Sequence, residues 1–128
     1  MHSELLDRVV SWARARPDVR GVALVGSWAR GDAGPDSDLD VVLLTTSPEA
    51  YMDSTPWPDA ELVETRDWGG LTERRLRLPS GLELELDIAP LAWASTDPLD
   101  EGTRRVVRDG MRILHDPDRL LEKLAAAC

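Results

Sequence analysis

Two aspartates, Asp38 and Asp40, open the apolar run Val41-Val42-Leu43-Leu44. Side chains alternate along a strand, so both carboxylates point to one side. A pair of hard oxygen ligands suits magnesium. Upstream, Gly26-Ser27 closes another apolar run, Gly21 to Val25. A glycine there lets backbone approach a phosphate without a Cβ in the way. Ser27 and the amides after it sit at a helix start, which favours an anion. Together these residues suit a phosphate and its metal. A third carboxylate is needed to complete a second metal site or to take a proton. Asp87, on a separate strand, is the candidate, and Glu85 on the same face is the alternative.

The elements that must position these groups are legible from pattern. Ser3 caps a first helix, with Glu4 and Asp7 in its first turn. Leu5, Val9, Trp12 and Ala13 form its buried stripe, and Pro17 ends it. Arg20 to Val25 reads as a strand buried on both faces. Trp28-Ala29-Arg30 makes a short helical turn, broken by Gly31 and Gly34. Asp38 to Thr45 is the second strand. Ser47-Pro48-Glu49 caps a short helix reaching Met52. Thr55-Pro56-Trp57-Pro58 is a loop, since two prolines flank Trp57.

Leu62 to Arg66 is a weaker strand candidate, and Trp68-Gly69-Gly70 a turn. Thr72 to Leu78 and Leu82 to Ala89 both alternate polar and apolar residues. Pro79-Ser80-Gly81 joins them as a β-hairpin. Leu82, Leu84, Leu86 and Ile88 face one way, and Glu83, Glu85 and Asp87 the other. Pro90 to Pro98 is irregular. Leu99 to Asp109 reads as a helix stopped at Gly110, with Val106 and Val107 inward. Met111 to Leu114 is a short strand. Asp116-Pro117 is expected to cap and begin a last helix with Leu120, Leu121, Leu124 and Ala125 inward. The sum is an α/β (α+β) chain, a mixed β-sheet flanked by helices, in one domain spanning 1–128.

Bulk properties narrow the partners. A formal charge of −9 argues against a broad nucleic-acid surface, which needs Lys and Arg. A small anionic ligand stays compatible, because a bound divalent metal reverses the local sign. The lone Cys128 can form no internal disulfide, so a reducing cytoplasm is the expected compartment. MHSELLDRVV does not read as a signal peptide, and no run is long enough to span a membrane. His2 and His115 show no ligand spacing. Trp57 or Trp68 could stack on a base, with packing the simpler role for both.

Gly26-Ser27, ten intervening residues, then Asp38-Leu39-Asp40 resembles the signature of the nucleotidyltransferase superfamily that includes DNA polymerase beta. Gly26-Ser27-Trp28-Ala29-Arg30-Gly31 and Ser37-Asp38-Leu39-Asp40 are similar to the minimal nucleotidyltransferases and the antibiotic nucleotidyltransferases. The resemblance implies a nucleotidyltransferase-like fold. It implies that Gly26 and Ser27 contact a triphosphate, that Asp38 and Asp40 bind Mg2+, and that Asp87, in Leu86-Asp87-Ile88, joins them. Arg30 either touches phosphate or stays on the helix surface. Ser37 either joins the nucleotide site or caps the turn before the strand.

The implied activity is Mg2+-dependent transfer of a nucleoside monophosphate, with AMP from ATP as the expected case, to a hydroxyl of a small molecule or a partner protein. Many relatives carry a further helical domain that binds the acceptor. Only about forty residues follow Asp87 here, so the acceptor site is shallow, shared across a homodimer or supplied by another protein. In the minimal group the resemblance implies pairing with a HEPN-domain protein as its antitoxin. The alternative is a binding module of this fold that neutralises its partner by contact alone.

Overall fold

The computed structural model describes residues 3–34, 37–52 and 59–128. Its elements in order are α1 (Ser3–Arg14), β1 (Val19–Val25), α2 (Ser27–Arg30), β2 (Leu39–Thr45), β3 (Glu61–Asp67), β4 (Thr72–Arg77), β5 (Glu83–Ala89), α3 (Glu101–Arg108), β6 (Met111–His115) and α4 (Leu120–Ala127). Two 3-10 turns, Pro48–Tyr51 and Leu91–Ala94, lie between strands. The strands form one six-stranded sheet in the order β3-β4-β5-β2-β1-β6. β2 and β5 run parallel at its middle, and every other neighbouring pair is antiparallel.

The central strands are apolar enough to be covered on both faces. On one face Val22, Leu24, Val41, Leu43, Leu84 and Leu86 pack under Val9 and Ala13 of α1 and against Tyr51. On the other, Ala23, Val25, Val42, Leu44 and Ala89 pack under Trp93, Leu121 and Leu124. Along β2 this second face reads Asp40, Val42, Leu44 by alternation. The apolar cover therefore ends at Val42, and the next residue on that face is the carboxylate of Asp40. At the other end of the sheet β3 is an almost wholly exposed edge.

Most expected elements are present, with instructive shifts. Asp38 lies just before β2 rather than in it. The short helix at Ser47 is a 3-10 turn, and Ser47 makes no side-chain capping bond. The third helix starts two residues later than expected, after Asp100, whose Oδ2 accepts from the Thr103 amide at 3.0 Å. Pro117 does not begin the last helix. α4 starts at Leu120 after Arg119, which sits at φ 60°. Asp116 still caps it from further back: its two carboxylate oxygens accept from the amides of Leu121 and Glu122, each at 3.0 Å. The expected loop at Thr55-Pro56-Trp57-Pro58 and His2 lie outside the described residues. No helix among the described residues is long and apolar enough to cross a membrane.

Candidate functional site

The site begins where β1 ends. Gly26 takes φ 76° and ψ −153°, a backbone conformation that side chains rarely tolerate. A Cβ on Gly26 would also collide with Oδ2 of Asp40. The torsion thus calls for glycine, and the Asp40 carboxylate fills the space a side chain would take. The chain then turns through α2, capped at Gly31 (φ 79°), whose amide donates to the Ser27 carbonyl. The loop back to β2 is tied by its own residues: Trp28 Nε1 donates to the Ser37 carbonyl at 3.1 Å, and the Gly34 amide donates to Ser37 Oγ at 2.9 Å.

Gly26, Ser27, Arg30, Ser37, Asp38 and Asp40 line one open, polar cleft of about 500 Å³, together with Asp109 at the end of α3. Six of the seven residues expected at the site from sequence thus meet in one place. Arg30 is held there by acids: Nε donates to Asp32 at 3.1 Å and Nη1 to Asp109 Oδ2 at 3.0 Å. Ser37, already accepting from Gly34, closes the loop as well as lining the cleft.

Asp87 lies off this cleft, one step further along the sheet. The parallel register sets Asp40 beside Glu85, and Asp87 beside Val42. On the other side β4 sets Arg75 beside Glu85 and Glu73 beside Asp87. Carboxylate oxygens of Glu73, Glu85 and Asp87 come within 4.8 Å of one another. Glu73, Glu85 and Asp40 are electrostatically coupled to one another across the three strands. Glu85, rather than Asp87, is therefore the acid level with Asp40 across the strand pair.

The charges respond accordingly. Burial raises Asp40 above the usual carboxylate range, and repulsion from Asp87 and Asp38 adds to it. Burial likewise raises Glu85. Asp87 is pushed up to about 8, mainly by burial and further by Glu85 and Glu73. Its Oδ1 is buried with no hydrogen-bond partner among the described residues. An orphaned carboxylate oxygen, a row of closely set acids and an all-oxygen donor set fit a divalent cation such as Mg2+.

Two members of this face are invisible when strands are read singly. Glu73 and Arg75 look like the solvent side of an alternating strand. The signal that finds them is the hairpin register, which places each opposite an acid of β5. Beyond Glu73 and Asp87 the face turns apolar at Leu71 and Ala89. There a pocket of about 530 Å³ opens, lined by Trp68, Leu71, Pro90, Trp93, Thr103 and Val106 among others. Trp68 is exposed, and its Nε1 donates to Glu73 at 3.3 Å, so it joins this pocket to the acids.

A mixed sheet with a glycine-serine turn facing paired aspartates is the arrangement of a nucleotidyltransferase. The family model for the nucleotidyltransferase domain matches residues 4–90, more than half of the chain, and the protein belongs to that family. The fold is also shared with a solved structure described as the crystal structure of a toxin-antitoxin with AMP-PNP. That chain is 18% identical, with a TM-score of 0.50 over 94% of this chain and 81% of the other. No curated protein matches the sequence.

Proposed function

We propose that the protein is a Mg2+-dependent nucleotidyltransferase that moves a nucleoside monophosphate, AMP from ATP, to an acceptor hydroxyl. The observation that carries this reading is that Gly26, Ser27, Asp38 and Asp40 line one open polar cleft, with the Asp40 carboxylate against the Gly26 turn. Backbone at Gly26 and Ser27 holds the triphosphate, and Ser37 and Arg30 border it. Asp38 and Asp40 hold the metal, and Asp87 completes the set, with Glu85 its competitor. When bound, the metal offsets phosphate charge and polarises the α-phosphoryl group.

In the transfer, the acceptor oxygen attacks the α-phosphorus. The bond between the α-phosphorus and the bridging oxygen breaks, and pyrophosphate leaves with that electron pair. The acceptor proton passes to a carboxylate, and Asp87, on the acidic face with Glu73 and Glu85, is the candidate for that role. The acceptor enters from the apolar pocket beyond Asp87, on the side away from the phosphate cleft.

The structural neighbour's description, a toxin-antitoxin with AMP-PNP, supports an adenine nucleotide as the bound nucleotide and a protein as the partner. A HEPN-type helical protein is the partner this reading favours, and a small molecule or a homodimer mate are the alternatives. The same description supports a second reading, in which the chain neutralises a partner by contact alone.

The test is transfer of label from α-labelled ATP, with Mg2+, to a co-expressed partner or a hydroxyl-bearing small molecule. Wild type is expected to label its acceptor. Asp40→Asn is expected to lose label by about a hundredfold or more while keeping its circular dichroism spectrum. Equal labelling by the variant contradicts the assignment. Full neutralisation of a partner by Asp40→Asn selects the contact reading.

A further inference from the structure

Arg75 is a cation placed inside the acidic face. From β4 it reaches past β5 to the mouth of β2, because β5 lies between those two strands. Nη1 donates to Asp38 Oδ2 at 2.6 Å and to Glu83 Oε1 at 3.2 Å, and Nη2 donates to Glu85 Oε1 at 3.4 Å. Only about a quarter of its side chain is exposed. A guanidinium that gathers three carboxylates from two elements occupies the electrostatic position of a divalent cation.

The surroundings explain why a cation is needed there. Asp38, Asp40, Glu83, Glu85 and Asp87 come together from neighbouring ends of β2 and β5, with Glu73 beside them on β4. Folding so many acids into one face without a counter-charge is costly. Arg77, a second base on β4, sits at the rim of this face and pairs with Glu61 and Glu83. The ion pairs of both Asp38 and Glu85 run to Arg75.

We propose that Arg75 is a stand-in for the metal: it holds Asp38 and Glu85 while the protein is metal-free, and the incoming cation takes Asp38 from it. This rests on the reading of Asp38 as a metal ligand. Arg75 is then a positioning residue, keeping the acids gathered without joining the chemistry. Removing its charge destabilises the metal-free protein more than the loaded one. By linkage, the same change tightens metal binding.

The experiment measures Mn2+ binding by the electron paramagnetic resonance signal of free ion, and unfolding in EDTA, for wild type, Arg75→Gln and Arg77→Gln. Arg75→Gln is expected to bind Mn2+ about tenfold more tightly and to melt earlier in EDTA, with Mn2+ restoring much of the loss. Arg77→Gln, which does not touch Asp38, is expected to change affinity by less than about twofold. Should Arg75→Gln fail to fold, Arg75→Lys, which keeps the charge but not the fork, must still bind Mn2+ more tightly than wild type. Unchanged or weaker affinity in a folded Arg75 variant overturns the stand-in role and leaves the metal reading intact. Absence of Mn2+ binding in wild type and variants alike overturns both.

Discussion

Gly26 and Asp40 constrain each other directly. The turn can close at φ 76° only without a side chain, and the missing Cβ leaves room for Asp40 Oδ2. Gly26→Ala is therefore expected to cost about 1–3 kcal/mol in denaturant unfolding and to displace Asp40. A variant as stable as wild type would show that the turn tolerates a side chain. Asp87 carries a pH signature. Its folded value near 8 lies above the unfolded value near 3.8, so the folded state binds the extra proton between them. The metal-free protein thus loses stability as pH rises from about 4 to about 8, by on the order of a few kcal/mol. Asp87→Asn should make that slope shallower without abolishing it, since Asp40, Glu85 and Glu73 are raised as well; unfolding at a series of pH values measures it, and an unchanged slope would contradict the role of Asp87. Mg2+ at pH 8 should restore stability to wild type, because the ionised carboxylates are then paired. At this scale the meeting of Gly26, Ser27, Asp38 and Asp40 in one cleft was legible, since their placement follows from local spacing. Which acid lies level with Asp40 was not, because it depends on the register between β2 and β5.

At the scale of elements, the hairpin decides most of the site. Pro79-Ser80-Gly81 fixes the pairing of Arg77 with Glu83, and from there Arg75 with Glu85 and Glu73 with Asp87. The alternation of both strands was plain in the sequence; its consequence across the sheet needed the register. The last helix shows the opposite case. Asp116-Pro117 reads locally as a cap and first turn, yet Arg119 at φ 60° delays the helix to Leu120. The aspartate keeps its capping role at longer range by accepting from Leu121 and Glu122. Asp116→Ala is expected to cost about 1 kcal/mol, read from chemical unfolding. Since Leu121 and Leu124 of α4 cover Val42 and Leu44, the loss propagates to the face that carries Asp40. No change in the unfolding midpoint would show that water replaces the carboxylate without penalty.

Across the whole molecule, the sheet divides its second face into three zones. Helix α4 and Trp93 cover the apolar end, the acids occupy the middle and the open cleft lies beside the Gly26 turn. This zoning follows from a mixed sheet whose parallel pair, β2 and β5, brings Asp40 and Glu85 level. The mixed sheet and its helical cover were readable from the order of elements. Strand order was not, because the chain alternates long-range and hairpin connections that local pattern does not rank.

The central claim is that this face binds a nucleoside triphosphate through a metal held by Asp38 and Asp40. Thermal unfolding with ATP, GTP, CTP or UTP, each with and without Mg2+, tests it without knowledge of the acceptor. Wild type is expected to gain on the order of 5 °C with ATP and Mg2+ together, with no gain without the metal and none in Asp38→Asn/Asp40→Asn. No shift with any nucleotide, or an equal shift in the double variant, would contradict it.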